Sequence, residues 1–276
     1  MNHIHEVSRW SFLLNEANSL GSMMAIGISA SLYFILAVRR RWVKLVLGLV
    51  IIPIMIYVLW KTDSRASLIW MLWALIVACG AILYRIYIHY GSPKYFWISI
   101  CSILTLVVGL VYGLVHQDII KHLRISQVDI TTGRAAIWEL YFKSIAEHPW
   151  LGFGFGATGQ FLTNHYPHSP LNVYIGLLGE AGLLGALPFI LLWLGSFVLI
   201  FRLIKSNIGI DDNRVALASF ALMIIGGYAL QQNGEWTIMR ISIDHYLFFF
   251  TVALVFSLNR AMSETTTAVS INGTME

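Results

Sequence analysis

The chain has 276 residues, of which 58% are hydrophobic and only 12% are charged, and its mean hydropathy is +0.72. This composition excludes an ordinary soluble domain, in which about 25% of the residues are charged. The formal net charge of +4 is small and spread over the connecting segments, so it gives no sign of nucleic-acid binding. We therefore predict an integral membrane protein in contact with a lipid bilayer.

Long apolar runs predict transmembrane helices. A helix of about 20 apolar residues crosses a hydrocarbon core and satisfies its own backbone hydrogen bonds in lipid. Continuous apolar runs such as 68–83 do not alternate as the strands of a β-barrel would. We predict an all-α, polytopic fold in a single membrane domain (1–276) with about seven transmembrane helices. The predicted spans are 18–37, 43–60, 67–84, 97–115, 172–201 (long enough to contain a break), 215–232 and 245–258.

Basic residues in short connecting segments predict the orientation, because such segments stay in the cytoplasm. The opposite, extracytoplasmic side then holds the turn 61–67, a large loop at about 116–171 and the turn 231–244. Met1 would lie outside without a preceding span, so we expect N-terminal helices to be missing. The Ser/Thr-rich tail at about 263–276 is expected to be disordered. The cytoplasmic basic residues are Arg39, Arg40, Arg41, Lys44, Arg85, Lys94, Arg202, Lys205, Arg214 and Arg260.

The large outer loop contains one helix-forming segment. Between Arg134 and Glu147, apolar and aromatic residues recur at helical spacing, which predicts an amphipathic helix at the membrane interface. Pro149 is expected to end it. The sequence GFGATG at 154–159 fits a dinucleotide-binding pattern formally, but it follows a helix rather than a buried strand. We interpret it as a re-entrant turn where glycine allows a close backbone approach.

Two histidines precede the next span, His165 and His168 in the sequence NHYPHSPLN. Spacing alone favours an ordinary solvated or hydrogen-bonded loop histidine for either one. A neutral imidazole can also accept a proton from an attacking hydroxyl group near physiological pH. Our functional hypothesis assigns His168 as the catalytic base, with His165 as the second candidate.

Arginines on the outer side are the second group of candidates. Arg65, Arg134 and Arg240 could each snorkel or contact lipid phosphate, as arginines at membrane edges do. Two guanidinium groups could instead neutralise a pyrophosphate leaving group, since each stays protonated and offers a bidentate fork. Metal-binding acidic pairs are missing from the predicted outer face, so we predict neither a metal ion nor a cofactor.

Glu180 interrupts an apolar segment. A charge at the centre of a span costs roughly 2.5–3.5 kcal/mol on insertion scales, so this side chain should face protein or water. The glycines of GEAGLLG (179–185) are expected to permit close packing or a break in the helix.

Taken together, these features resemble the O-antigen ligase and O-antigen polymerase superfamily of bacterial surface-polysaccharide enzymes. The resemblance rests on GRAAIW (133–138), EHPWLGFGFG (147–156) and NVYIGLLGEAGLLG (172–185) in this order, with FLLNEANSLGSMMA and TDSRASL upstream. Ligases of this superfamily typically place a histidine beside an asparagine. Here Asn172 holds the asparagine position, Leu171 stands where the histidine is expected, and His168 lies three residues earlier. Members usually have more spans, so this chain resembles their C-terminal part.

The resemblance implies a metal-independent, inverting membrane glycosyltransferase that takes a glycan from undecaprenyl diphosphate at the outer face of the bacterial inner membrane. Arg65 and Arg134 would hold the diphosphate, and His168 would deprotonate the acceptor hydroxyl. The acceptor would be lipid A-core or another glycan. Further substrate contacts would come from Trp138, Asn172, Tyr174, His165 and Arg240. For Trp138 and Tyr174, the enrichment of aromatic residues at membrane interfaces is nearly as good an explanation as a contact with the sugar.

The residues leave several functions open. An O-antigen ligase and an O-antigen or exopolysaccharide polymerase share these motifs. Because His168 is displaced from the position typical of ligases, the polymerase is nearly as well supported as the ligase. A transporter or flippase would need ionisable residues in several spans and inverted repeats, for which the sequence gives little sign. An inactive fragment is the remaining alternative.

Overall fold

The computed structural model describes residues 17–90, 134–154, 172–205, 212–232 and 246–260, and every regular element within these ranges is helical. The chain divides into two compact units, 1–130 and 131–276. The first unit contains α1 (Ala17–Ala37), α2 (Arg41–Val46), a π-helical turn (Leu47–Ile51), α3 (Ile52–Thr62) and α4 (Arg65–Tyr90). The second contains α5 (Arg134–Glu147), α6 (Val173–Lys205), α7 (Asp212–Gln231) and α8 (Tyr246–Arg260).

Five helical segments in the described ranges are long and apolar enough to span a membrane. They confirm the predicted spans that begin near residues 18, 43, 67, 172 and 215. The span predicted at 245–258 corresponds to α8, which is apolar but shorter, and the span predicted at 97–115 lies outside the described residues. The predicted number of about seven spans is therefore not confirmed. The five segments are Asn18–Ala37, Arg41–Thr62, Arg65–Tyr87, Val173–Ile204 and Asn213–Gln231.

In the first unit, α1 packs along α3 and α4 through small residues. A Cβ atom added to Gly21 would lie 2.8 Å from the Oγ atom of Ser67 in α4. A Cβ atom added to Gly27 would lie 2.8 Å from the Cε atom of Met55 in α3. Helices in lipid associate through such close van der Waals contact, because burying apolar surface gives no driving force there.

Arg85 and the basic run 39–41 lie at the same end of α1 and α4, whereas Lys61 and Arg65 lie at the other end. The Nη1 atom of Arg85 donates a 2.7 Å hydrogen bond to the carbonyl oxygen of Leu36, in the last turn of α1. A cation is favoured there by the negative end of the helix dipole. The basic run 39–41 follows directly in the sequence. Arg65 begins α4, roughly 30 Å from Arg85 along the helix axis. Which end faces the cytoplasm stays a prediction.

In the second unit, α6 bends back on itself. Gly182 has φ 63° and ψ −170° inside this helix, a combination that is essentially restricted to glycine. The ring centroids of Tyr174 and Trp193 lie 5.1 Å apart, whereas a straight helix would separate these positions by roughly 28 Å. The helix therefore forms a V with a first arm (173–181) and a second arm (183–205). The break predicted from the glycines is confirmed.

The two arms of α6 have different surroundings. Glu180 in the first arm is only 3% exposed, which confirms the prediction that it faces protein rather than lipid. No large apolar side chain of the fully described first arm is exposed, so protein encloses this arm. The second arm presents a stripe of exposed apolar side chains: Leu183, Leu184, Leu187, Ile190, Leu191, Leu194, Val198 and Phe201.

Aromatic side chains join the second arm to α7 and α8. Phe248 of α8 stacks on Tyr228 of α7 with ring centroids 4.7 Å apart, and it meets Trp193 edge-on at 6.1 Å. Phe189 contacts the same indole edge-on at 4.6 Å. Each such pair contributes about 0.5–1.5 kcal/mol beyond the area it buries. The cluster therefore fixes α8 against the spanning arm.

The amphipathic segment predicted in the outer loop is the helix α5. Ile137 and Tyr141 are buried one turn apart, and a Cβ atom added to Gly179 would lie 2.7 Å from the Tyr141 ring. The apolar face of α5 thus packs on the first arm of α6. The helix ends at Glu147, two residues before Pro149, as predicted. Its position at a membrane interface stays a prediction.

Candidate functional site

The predicted site residues divide into those that the structure describes and those that it does not. Arg134 is the first residue of α5, and its side chain lies outside the described part. The candidates His165, His168 and Arg240 lie wholly outside the described residues. The candidates described with their side chains are Arg65, Trp138, Asn172 and Tyr174.

Asn172 caps the first arm of α6. Its Oδ1 atom accepts hydrogen bonds from the backbone N–H groups of Tyr174 at 3.0 Å and Ile175 at 3.2 Å. The side chain is 7% exposed. Asparagine is among the best N-cap residues, because its amide oxygen satisfies N–H groups that have no partner within the helix. The structure thus gives this residue a structural role, and its predicted substrate contact stays a prediction.

Tyr174 ties the same end of α6 to α7. Its hydroxyl group donates a 2.7 Å hydrogen bond to the carbonyl oxygen of Ala229, and its ring packs on Trp193. The side chain is half-buried, and a polar group that loses contact with water needs such a bond, because an unmet hydrogen bond in an apolar setting is costly. The contact of Tyr174 with a sugar stays a prediction. Because the hydroxyl group already donates to Ala229, such a contact would involve the ring.

A backbone hydrogen bond joins the two chain segments that carry the remaining candidates. The N–H group of Val173 donates to the carbonyl oxygen of Gln232 at 3.1 Å. His168 precedes this junction by a few residues in the sequence, and Arg240 follows it. The side chains of Gln231 and Gln232 are fully buried here. The sequence analysis missed this pair, although two consecutive glutamines at the end of an apolar span were a visible signal.

The first arm of α6 also holds the other end of the histidine-bearing segment 155–171. The N–H group of Gly154 donates to the carbonyl oxygen of Glu180 at 3.0 Å. Gly154 therefore lies at the C-terminal end of the first arm, whereas Asn172 lies at its N-terminal end. The two described residues that flank the segment are thus fixed to opposite ends of one short helix, roughly 12 Å long.

Arg65 lies in the turn between α3 and α4 of the first unit. Asp63 adopts a left-handed conformation, with φ 52° and ψ 30°, and ends α3. The hydroxyl groups of Ser64 and Ser67 are 2.9 Å apart, and both side chains are buried against α1. Arg65 itself is half-buried, and its guanidinium makes no hydrogen bond or ion pair with the part of the chain that the structure describes. A fixed turn thus holds an arginine at the N-terminal end of a helix.

Trp138 is half-buried on α5, one helical turn after Arg134. Residues four apart lie on the same side of a helix, so the two positions share one side of α5. Both belong to the second unit, whereas Arg65 belongs to the first. The joint clamp of a diphosphate by Arg65 and Arg134 stays a prediction.

Metal-ligating side chains do not gather in the described ranges. No group of three His, Cys, Asp or Glu residues that could hold a metal ion occurs within them. Both candidate histidines lie outside these ranges, so metal independence stays a prediction.

Comparison with protein families places much of this region in a known family. A family model described as O-antigen ligase matches residues 53–190, which is half of the chain. The matched range runs from the start of α3 to the second arm of α6, and it includes Arg65, Arg134 and His168. No curated protein matches the chain.

Proposed function

Because the chain belongs to the O-antigen ligase family, we propose that it is an O-antigen ligase that joins a lipid-linked glycan to the lipid A-core of lipopolysaccharide. The family supports a membrane glycosyltransferase of the ligase and polymerase type that acts on lipid-linked glycans. In the described ranges, five helical segments are long and apolar enough to span a membrane, which is consistent with a substrate that stays in the bilayer. The proposal adds undecaprenyl diphosphate as the carrier and the outer face of the bacterial inner membrane as the location.

The observation that carries the proposal is the extent of the family match. The match covers 53–190 and therefore includes all three residues to which the sequence analysis gave a catalytic role, Arg65, Arg134 and His168. Arg240 lies beyond it, so the contribution of this residue has weaker support than that of Arg65, Arg134 or His168.

In the proposed reaction, His168 accepts the proton of an acceptor sugar hydroxyl group. The hydroxyl oxygen then forms a bond to the anomeric carbon of the donor glycan while the bond from that carbon to the diphosphate oxygen breaks, which inverts the configuration. The leaving diphosphate gains negative charge, and Arg65 and Arg134 neutralise it. Preorganised cationic groups stabilise such a transition state because they need no reorganisation when the charge develops.

The surroundings of Arg65 support its assignment to the diphosphate. Arg65 is the first residue of α4, and the N-terminus of a helix carries partial positive charge that favours anions. The turn before it is held by the buried Ser64 and Ser67 side chains. A half-buried guanidinium that is not engaged by the described residues can give its bidentate fork to phosphate oxygens.

An O-antigen or exopolysaccharide polymerase is the second candidate, and one sequence feature favours it. Leu171 stands where ligases of the family place a histidine, and His168 is displaced by three residues. A polymerase would use the same donor carrier but would add the glycan to another lipid-linked repeat unit.

The proposed function is tested with the lipopolysaccharide of a strain from which this gene has been deleted. The wild-type gene and the His168→Ala and Arg134→Ala variants are supplied on a plasmid, and the lipopolysaccharide is separated on a gel. Loss of all O-antigen from lipid A-core in the deletion strain supports a ligase. Core that carries a single repeat unit supports a polymerase. An unchanged ladder overturns the ligase and the O-antigen polymerase, and leaves a role on another surface glycan or an inactive fragment.

The variants test the residues separately from the function. Removing a general base typically lowers the rate by about 10²–10⁴-fold, so His168→Ala should fail to restore the ladder. His89→Ala is the matched control, because His89 is an exposed histidine near the end of α4 far from Arg65. If His165→Ala is inactive and His168→Ala is active, the base is His165. If Arg134→Ala is active, Arg134 does not bind the diphosphate.

A further inference from the structure

The segment 149–154, which we name the clasp, crosses the V of α6 at Gly182. The N–H groups of Phe153 and Gly154 donate to the carbonyl oxygens of Gly179 and Glu180, which end the first arm. The N–H groups that begin the second arm donate in turn to the clasp: Leu183 to Pro149 at 2.9 Å and Leu184 to Trp150 at 3.1 Å.

These four hydrogen bonds replace the bonds that the bend removes. In a continuous helix, the N–H groups of Leu183 and Leu184 would donate to the carbonyl oxygens of Gly179 and Glu180. The bend separates these donors from their acceptors, and the clasp provides a partner for each group. Backbone groups near lipid must be satisfied within the protein, so the bend and the clasp depend on each other.

Two glycines make the crossing possible. Gly152 has φ 64°, and a Cβ atom added to it would lie 2.5 Å from the carbonyl carbon and oxygen of Glu180. A Cβ atom added to Gly182 would overlap the carbonyl group of Trp150 and would lie 2.5 Å from the backbone nitrogen of Gly152. The atoms that such a methyl group would meet belong to the backbone in both cases. They cannot swing aside as a flexible side chain can, so a methyl group at either position must push the clasp away from the arm.

The crossing determines where the histidine-bearing segment is attached. Gly154 is held at the C-terminal end of the first arm by Glu180, and Asn172 caps its N-terminal end. The first arm therefore acts as a rigid spacer between the two residues that flank segment 155–171. If the clasp moves away, only the Asn172 end stays fixed.

We propose that Gly152 and Gly182 are positioning residues for glycan transfer, which act by holding the clasp on the V of α6 and thereby fixing Gly154, the residue that precedes segment 155–171. This inference rests on the proposed function, in which that segment supplies the base. Both glycines act through the backbone atoms they meet, which belong to Trp150, Gly152, Gly179 and Glu180. A displacement of about 1 Å at a reacting group can cost about 10²-fold in rate.

The kinetic test compares Gly182→Ala and Gly152→Ala with the wild-type protein, purified and supplied with lipid-linked glycan and acceptor. We expect kcat to fall by about 10²-fold while KM for the donor stays within about twofold, because the donor site is not removed. Gly195→Ala is the matched control. Gly195 lies in the second arm of the same helix, and a Cβ atom added there has no neighbour within 4 Å. This variant should keep the wild-type kcat.

A second measurement reports on the clasp without using activity. Leu151 in the clasp and Leu194 in the second arm, which are 73% and 57% exposed, are each replaced by cysteine and labelled with a nitroxide. The native cysteines are removed by Cys79→Ala and Cys101→Ala, so that only these two positions carry a label. Pulsed electron paramagnetic resonance should give one narrow distance distribution for the wild-type background and for Gly195→Ala, and a broader or shifted one for Gly182→Ala and Gly152→Ala.

The outcomes separate this inference from the proposed function. A displaced clasp with unchanged kcat overturns the inference, and so does an unmoved clasp in both glycine variants. If both variants are lost from the membrane, the crossing serves folding rather than positioning, and the inference is also overturned. A wild-type protein that transfers no glycan contradicts the proposed function, and the distance measurement then decides whether the glycines hold the clasp.

Discussion

Replacing Asn172 with alanine should destabilise the second unit by about 1–2 kcal/mol. The loss of an N-cap side chain costs roughly 0.5–2 kcal/mol. The upper half of this range applies here because the side chain is 7% exposed and accepts two backbone hydrogen bonds, so water poorly replaces the lost acceptor. Thermal unfolding in detergent, followed by tryptophan fluorescence, should show a midpoint lower by roughly 2–4 °C per kcal/mol.

Asn172→Ser separates the capping role from a substrate contact. Serine is a comparably good N-cap, so this variant should unfold within about 0.5 kcal/mol of the wild type. It lacks the amide group that could bind a sugar. If capping is the whole role of Asn172, Asn172→Ser transfers glycan at the wild-type rate, whereas a sugar contact predicts loss of transfer at unchanged stability. An unfolding midpoint of Asn172→Ala equal to that of the wild type would refute the capping argument.

Two further predictions concern helix packing and a partly buried hydroxyl group. Gly21→Ala should destabilise the first unit by about 1–3 kcal/mol, because the added methyl group clashes with Ser67. Gly80→Ala is the control: an added methyl group has no neighbour within 4 Å there, so it should stabilise the unit by up to about 1 kcal/mol. Equal unfolding midpoints of the two variants in detergent would contradict the packing of α1. Tyr174→Phe removes the hydrogen bond to the carbonyl oxygen of Ala229 but keeps the ring, so it should cost about 1 kcal/mol of stability; an unfolding midpoint equal to that of the wild type would contradict this role of the hydroxyl group.

The spanning helices could be predicted because their sequences carry a local signal. Spans such as 43–60 and 67–84 are continuous apolar runs bounded by basic or polar turns, and each must be a helix because lipid supplies no hydrogen-bond partners. The structure confirms them as Arg41–Thr62 and Arg65–Tyr87. Their lengths come from the thickness of the bilayer rather than from contacts with distant residues, which is why the sequence alone was sufficient.

The bend of α6 could be predicted only in part. The glycines at 179–185 indicated close packing or a break, and both occur, at Gly179 and Gly182 respectively. The angle of the bend depends on the clasp, about 30 residues earlier in the sequence, which supplies the hydrogen bonds that the bend removes. No local pattern specifies which distant backbone segment will do so. The capping role of Asn172 did have a local signal, since an asparagine directly before an apolar helical run is typical of an N-cap.

The glycine-rich sequence after Pro149 illustrates why a motif needs its structural context. A dinucleotide-binding loop uses glycine for positive φ angles and for close backbone approach to a phosphate group. Gly154, the first glycine of the pattern at 154–159, has a φ angle of 111°, and Gly152, two residues before the pattern, has a φ angle of 64°. The clasp uses the same two properties to approach the backbone of Gly179 and Glu180. Residues 155–159 lie outside the described residues, so the re-entrant turn stays a prediction. The physical demand on the residues is the same, but the partner is a helix end. The partners here are backbone carbonyl groups of Gly179 and Glu180, which any residue type could supply, so the glycine pattern alone does not identify them. The small space at the crossing is instead set by Gly152 and Gly182, where an added methyl group would meet backbone atoms. A methyl group at either position is therefore the most direct way to displace Gly154, the described residue that precedes the segment carrying His168.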